Sequence, residues 1–190
     1  MGHPSSRRRS ALSLACALFG AAPATGARRL VTRVGDPIPY RIDLPCGAEI
    51  ETGPGLLAAR TRELSIVVVA TDMMAGDGDP LPVSEAGSRR ILTSLVMGSD
   101  ALLFALLDEE LRSRRLTLAG VVRGIGTLGG QRAACVRGVF GTRGVRSWLD
   151  IHGTVKDGVL YMLAFAAAGG APGPHERLSA RIRESFTLPR

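Results

Sequence analysis

The sequence contains few aromatic side chains and almost no lysine. Aromatic residues make up 4% of the 190 residues, and Lys156 is the only lysine. A hydrophobic core must therefore be built from Leu, Val, Ile and Ala. The aromatic residues are not interleaved with the arginines, as a surface for single-stranded nucleic acid requires. We therefore attribute the net charge of +7 to a solvated surface and expect no nucleic-acid partner.

The motifs of common enzyme chemistry are missing or incomplete. No G-x-S-x-G turn, which carries the nucleophile of many hydrolases, occurs. Residues 124–129 match G-x-G-x-x-G, but the residues that follow are typical of a strand, whereas the dinucleotide fingerprint requires a helix. We interpret these residues as a glycine-rich hairpin and expect no cofactor. A Ser–His–Asp arrangement stays open, because such triads are defined by geometry rather than by spacing.

The acidic residues and histidines do not form a metal-binding signature. Asp72, Asp77 and Asp79 fall in one loop, but the spacing of a calcium-binding EF-hand is absent. His152 and His175 have no cysteine or carboxylate at zinc-ligand spacing. We expect His152 to be structural within a strand and His175 to be exposed at the start of a helix. The sequence therefore predicts no metal site and singles out no catalytic residue.

The N-terminus has the order of a secretory signal. Three arginines at 7–9 precede the uncharged run 11–22, and small residues follow it. That run is too short to cross a hydrocarbon core about 30 Å thick. We predict that residues 1–27 are a signal peptide, cleaved after Ala24 or Ala27, and that the protein is periplasmic or secreted. Twin-arginine export remains open beside the general route.

The three cysteines leave two alternatives open. Cys16 lies in the middle of the signal segment, where acylation would create a lipoprotein. Cys46 and Cys135 remain after cleavage and form an even pair in an oxidising compartment, which makes them a candidate disulfide. Two separate buried thiols are the other interpretation, and the Cα distance decides between them.

The remainder of the chain is typical of a strand-rich single domain. Residues 28–39 are interpreted as a polar arm that leads into a domain spanning residues 40–190. A helical region is expected over residues 84–115, with a break near residues 98–100, and a last helix over residues 176–186. In the last helix, Leu178, Ile182 and Phe186 are expected to form one apolar stripe that packs on the sheet, with Arg183 and Ser185 turned away from it. The predicted strands are residues 40–44, 48–52, 56–61, 64–71, 116–123, 132–140, 145–153 and 159–167. This order predicts an α+β fold in which helices flank an antiparallel sheet.

Four short segments resemble PsbP-like domains. They are Tyr40–Gly47 (Y-x-I-x-x-P-x-G), Leu128–Ala133 (G-G-x-x-A), Asp157–Leu163 (D-G-x-x-Y-x-L) and Ile182–Leu188 (I-x-x-S-F-x-L). The resemblance implies an α/β/α sandwich around an antiparallel sheet, as in PsbP and in exported proteins of the DcrB type. Members of the family are generally binding or assembly factors, and they share no ligand site that can be carried over to this chain. The sequence departs from the family at Ala48, where an aromatic residue is common.

Together these features predict an exported, non-catalytic binding or assembly protein of the cell envelope. Its expected partner is another envelope protein, and no transmembrane span is expected in the mature chain. The alternative is a secreted enzyme, such as a hydrolase, with a dispersed active site. A His, a carboxylate and a Ser that converge in one pocket would favour the enzyme.

Overall fold

The computed structural model describes residues 30–72, 99–113, 118–142, 145–169 and 175–189. The predicted signal peptide, Asp77 and Asp79, and the first part of the predicted helical region lie outside the described residues.

The described residues are mainly antiparallel strands with two helices, so the predicted antiparallel sheet is present and the predicted α+β class is supported only in part. The strands are β1 (Leu30–Val34), β2 (Arg41–Pro45), β3 (Glu49–Gly53), β4 (Leu56–Arg60), β5 (Ser65–Asp72), β6 (Leu118–Leu128), β7 (Gln131–Thr142), β8 (Val145–Lys156) and β9 (Val159–Ala168). The helices are α1 (Ser99–Ser113) and α2 (His175–Ser185). β1 and β2 form a two-stranded sheet, and the others form a seven-stranded sheet in the order β3-β4-β5-β9-β8-β7-β6. Because most of the described residues lie in strands, the structure matches the predicted helix-flanked sandwich only in outline.

The strands near the centre of the large sheet are covered on both faces. β5 is buried from Ser65 to Ala70, and β9 is buried from Leu160 to Ala167. The β-branched run in β5 suits a doubly covered strand, because such side chains pack well on a pleated surface. The β8–β9 turn has positive φ at Asp157 and Gly158 (51° and 78°), as the Asp-Gly hairpin signal predicts.

Each face of the large sheet carries one helix. α1 packs on the first face through Leu103, Leu107 and Leu111, which contact a layer of β-strand side chains. α2 packs on the second face together with the β1–β2 hairpin, and Ile182 and Phe186 are buried there. The apolar stripe predicted for the last helix is thereby confirmed. Among the described residues, no helix is both long and apolar enough to cross a membrane.

The structure differs from the sequence prediction in two local places. Within the arm expected at residues 28–39, Leu30–Val34 form β1, and Leu30 lies opposite Pro45 in the register with β2. The alternation of apolar and polar residues in β1 is short, and most of its side chains are exposed. The segment becomes a regular strand only because it pairs with β2. β6 also continues to Leu128, beyond the expected end at residue 123, because it pairs with β7 along most of its length.

Candidate functional site

A cluster of polar side chains lies on the α2 face of the large sheet. Cys135 and Arg137 lie two residues apart on β7, and Asp150 and His152 lie two residues apart on β8. The register of the two strands places Cys135 opposite His152 and Arg137 opposite Asp150. Because side chains two residues apart share a sheet face, all four meet on one side of the sheet.

The four side chains form a continuous chain of polar contacts. Cys135 Sγ lies 3.0 Å from His152 Nδ1, and His152 Nε2 lies 3.1 Å from Asp150 Oδ1. Arg137 Nε donates a hydrogen bond of 3.0 Å to the same carboxylate oxygen. Asp150 and His152 are each only 2% exposed, whereas Cys135 is partly exposed. The order thiol, imidazole and carboxylate is that of an activated nucleophile with its base and its orienting group.

The charges of this cluster shift the pKa values of two buried groups. Burial alone would raise the pKa of Asp150, but its hydrogen bond from His152, with the positive charge of Arg137, holds the pKa below its ordinary value. Burial alone would lower the pKa of His152, but the hydrogen bonds to Asp150 and Cys135 outweigh it and raise the pKa. Both shifts favour the ionised forms, so each partner stabilises the charge of the other.

These two shifts predict a stability optimum in mildly acidic solution. Asp150 stabilises the fold above about pH 4, and this contribution is lost as the pH falls through its lowered folded pKa. His152 stabilises the fold fully below about pH 6.5, and this contribution is lost as the pH rises through its raised folded pKa. Urea unfolding at a series of pH values should therefore give the highest free energy of unfolding between about pH 4 and 6.5.

A matched pair of variants tests whether His152 causes the decline in the free energy of unfolding at higher pH. His152→Gln should remove the decline in the free energy of unfolding above about pH 6.5, whereas His175→Gln should retain it. A decline of equal size in the His152 variant would contradict the assignment.

An open cleft of about 390 Å³ leads to the thiol of this cluster. β6 forms one wall with residues 122–127, and Cys135, Arg137, His152 and Arg183 complete the lining. Gly124 lies opposite Cys135 in the β6–β7 register, and a Cβ placed on it would meet nothing within 4 Å. The absence of side chains at the glycines of β6 therefore creates the space above the sulfur.

The glycine series at residues 124–129 belongs to this wall and to the turn that follows it. Gly124 and Gly126 lie within β6, and Gly129 and Gly130 form the β6–β7 turn with φ of 58° and 78°. β7 then begins at Gln131. The interpretation as a glycine-rich hairpin agrees with these positions.

The last helix contributes to the cleft, contrary to the sequence expectation. Arg183 and Ser185 were expected to turn away from the buried stripe of this helix. Instead, Arg183 Nη1 lies 3.3 Å from His152 Nε2. Ser185 Oγ accepts a hydrogen bond of 2.9 Å from the Asp43 backbone N–H and donates one of 2.6 Å to the Ile182 carbonyl. The expectation was wrong because strand β2 and the side chain of His152 on β8 also contact this helix.

The other residues considered from the sequence are not brought together. Cys46 and Cys135 are both free thiols, so the structure does not contain the candidate disulfide. Cys46 is exposed, whereas Cys135 contacts His152. His175 begins α2, where its Nδ1 lies 3.7 Å from Glu63 Oε2. Asp72 ends β5. Within the described ranges, no group of three or more His, Cys, Asp or Glu residues could hold a metal ion.

Sequence reasoning missed the cluster, although one signal was present. Asp150 and His152 are two residues apart in a predicted strand, so they had to share a sheet face. An ionisable pair of this kind that alternates with Leu149 and Ile151 indicates a polar cluster on one face of the sheet. The identity of the facing residue on β7 depends on strand register, which the spacing does not supply.

Among the strands that the structure describes, β6 also presents an open edge. It ends the seven-stranded sheet, and its side chains Val121, Val122 and Ile125 are exposed by 43%, 65% and 39%. A register shift occurs between Ala119 and Val122, and pairing with β7 is regular from Val122 to Leu128. The regular part of this edge therefore runs beside the cleft.

Comparisons with known proteins support the fold and leave the family open. No protein-family model and no curated protein sequence matches the chain significantly. The solution structure of the cyanobacterial PsbP protein CyanoP from Synechocystis is similar, with a TM-score of 0.51 and 13% identity over 90% of this chain and 99% of that chain. The described fold is therefore PsbP-like.

Two other solved structures are similar at lower TM-scores. LpqN of Mycobacterium tuberculosis, described as involved in cell envelope biogenesis, has a TM-score of 0.44 and 19% identity over 85% of this chain and 91% of its own. A protein of Bacteroides thetaiotaomicron has a TM-score of 0.46 and 11% identity over 80% of this chain. This chain spans 45% of the length of the Bacteroides protein.

Proposed function

We propose that this chain is an exported, non-catalytic binding or assembly protein of the cell envelope, which binds another envelope protein along β6. The observation that carries the proposal is the open edge of β6, where Val121, Val122 and Ile125 are exposed. An edge strand offers unpaired backbone N–H and C=O groups to an extended segment of a partner. The exposed apolar side chains give the added strand a surface to cover.

The opposite edge of the sheet is less suited to this role. β3 has five residues, and its Glu49 and Glu51 side chains are exposed. Short, charged edge strands discourage the pairing of a further strand. β6 has 11 residues, and the part from Val122 to Leu128 keeps a regular register. A partner strand is therefore expected on β6 rather than on β3.

Export is the second part of the proposal and rests on the order of residues 1–27. The basic start, the uncharged run and the small residues are those of a cleaved signal. The part of the chain that follows the cleavage site, including β1, would then fold outside the cytoplasm. N-terminal sequencing of the protein from cells should give a chain that begins after Ala24 or Ala27, and a chain that begins at Met1 would contradict export.

The secreted hydrolase is retained as a second candidate because one specific observation favours it. A histidine and a carboxylate converge beside a cleft, with Cys135 in the place where a serine was expected. Hydrolysis of p-nitrophenyl acetate by the parent and by Cys135→Ser separates the two candidates. Repeated turnover by the parent alone would favour the enzyme, and equal background rates would favour the binding protein.

A photo-crosslinking residue placed on each edge tests binding along β6. With the crosslinker at position 125, irradiation of intact cells should join the chain to an envelope protein, whereas the crosslinker at position 51 on β3 should give no such adduct. Ile125→Lys, with the crosslinker at position 122, should abolish the adduct, because an edge lysine opposes strand addition. Glu51→Lys is the matched control and should retain it. Adducts of equal yield from both edges would overturn the proposal.

A further inference from the structure

The cleft supports a chemistry that is independent of partner binding on the β6 edge. We propose that Cys135 is a nucleophilic thiol that forms mixed disulfides with small anionic disulfides, and that His152 accepts its proton. Two structural features support this assignment. Cys135 Sγ lies 3.0 Å from His152 Nδ1, and Cys135 is one of the residues that line the open cleft.

The imidazole of His152 is held in the orientation that a base requires. Asp150 Oδ1 lies 3.1 Å from Nε2 and binds the Nε2–H, which leaves Nδ1 to face the thiol. The ring is buried, and its edge packs against Phe165 with the centroids 6.5 Å apart. Because Asp150 and Phe165 hold the ring from two sides, the imidazole needs no rearrangement to accept the proton of Cys135.

The glycines of β6 give a reactant access to the sulfur. Gly124 and Gly126 lie on the same sheet face as Cys135, since they alternate with residues of the other face. A Cβ on Gly126 would lie 3.2 Å from Sγ, and a Cβ on Gly124 would stand in the open space. Larger side chains at these two positions would cover the thiol, which is instead reached from the cleft.

The charges around His152 favour an anionic reactant. Arg137 of β7 is neutralised by Asp150 of β8, whereas Arg183 of α2 has no acidic partner among the described residues. Within that part of the chain, Asp150 is the only acidic residue of the cluster. A cationic cleft stabilises a thiolate and attracts carboxylate groups of the disulfide. Arg183 is therefore expected to position the anion.

The reaction is a thiol–disulfide exchange in which atoms and electrons balance. The Cys135 proton passes to His152 Nδ1, and the thiolate attacks one sulfur of the disulfide. A bond forms between Sγ and that sulfur while the original S–S bond breaks. The departing thiolate takes the proton from the imidazolium and leaves as a thiol. Cys135 is oxidised and the attacked disulfide is reduced, so no further oxidant takes part.

Displacement at sulfur fits this site better than acyl transfer does. Acyl transfer benefits from a pair of backbone N–H groups that bind the oxyanion of the intermediate. Cys135 lies in the interior of β7, which pairs with β6 on one side and with β8 on the other. Such a strand has no pair of free N–H groups to offer beside the thiol. Attack on a disulfide requires no such site.

Two single-thiol chains test the proposal with a control inside the same protein. In the full chain with Cys16→Ser, adding Cys46→Ser leaves only Cys135, and adding Cys135→Ser leaves only Cys46, which is exposed. Iodoacetamide should alkylate Cys135 at least about tenfold faster than Cys46 in the same buffer, although Cys135 is less exposed, because only Cys135 has an imidazole nitrogen within 3.0 Å of its sulfur among the described residues. Oxidised glutathione should form the mixed disulfide on Cys135, as read by mass spectrometry.

The variants at His152 and Arg183 complete the test. His152→Gln should bring the alkylation rate of Cys135 down to that of Cys46. Arg183→Gln leaves the imidazole in place and should slow the reaction with anionic oxidised glutathione more than the reaction with cationic cystamine.

If His152→Gln fails to fold, the comparison of the two single-thiol chains decides alone. An alkylation rate of Cys135 no higher than that of Cys46 in the folded chain would overturn the proposal. Both reactions are measured on the purified chain without a partner, so failure here is distinguishable from failure of binding along β6.

Discussion

Replacing Phe186 by alanine should lower the free energy of unfolding by about 3–5 kcal/mol. Phe186 is 2% exposed and stacks on Tyr40 with the ring centroids 5.5 Å apart. Its ring also meets Tyr161 edge to face at 6.4 Å. Removal of the ring leaves a cavity between α2, β2 and β9, and the aromatic contacts of both tyrosines are lost. Urea unfolding followed by circular dichroism measures the change.

Phe104→Ala is the matched control for this substitution. Phe104 lies on α1, is only partly buried, and carries the guanidinium of Arg123 over its ring at 5.6 Å. Its truncation removes less buried area and should cost less than half as much as Phe186→Ala. Equal losses from the two variants would mean that the end of α2 is not part of the core.

The second large effect is expected where α1 meets β8. Leu107 is fully buried, and a Cβ added to Gly153 would lie 2.6 Å from its Cδ2 atom. Leu107→Ala should cost about 2–5 kcal/mol because a cavity remains, and Gly153→Ala should cost about 1–3 kcal/mol because the site becomes overpacked. In the double variant the added methyl group occupies part of the cavity. The two losses should therefore sum to more than the loss in the double variant, as measured by urea unfolding.

Leu111→Ala provides the control for this coupling. Leu111 lies one helical turn further along α1 and is also buried. Its combination with Gly153→Ala should be additive within about 0.5 kcal/mol, since the two sites do not share the close contact. Additive behaviour of Leu107 with Gly153 would show that α1 shifts freely over the sheet and that the close approach is not specific.

The strands and turns were the most predictable part of the fold, for local physical reasons. The β-branched run Ile66–Val69 is restricted at χ1 and favours a pleated strand wherever it is placed. The Asp157-Gly158 pair adopts positive φ at little cost and joins β8 to β9. β1 was not predicted, because a short and exposed alternation becomes a strand only where a partner such as β2 lies beside it.

The candidate site was less predictable than the strands that carry it. The placement of Asp150 and His152 on the same sheet face follows from the sequence, since successive strand residues point to opposite faces and these two are two residues apart. Cys135, however, was considered only as a disulfide partner of Cys46 or as a separate buried thiol. Which residue of β7 faces His152 depends on register, and a shift of one residue would place a different side chain beside the imidazole.

The sequence alone determined the local elements: which segments extend, where the chain turns back, and which stripe of the last helix is apolar. These properties depend on residues that are neighbours along the chain. The tertiary structure alone decided the chemistry. Cys135 and His152 are 17 residues apart, and Arg183 lies 31 residues beyond His152, yet all three line one cleft. Their meeting requires the β7–β8 register, the packing of α2 on the sheet, and the missing side chains of β6 at the same time, and no interaction between near neighbours fixes these three together.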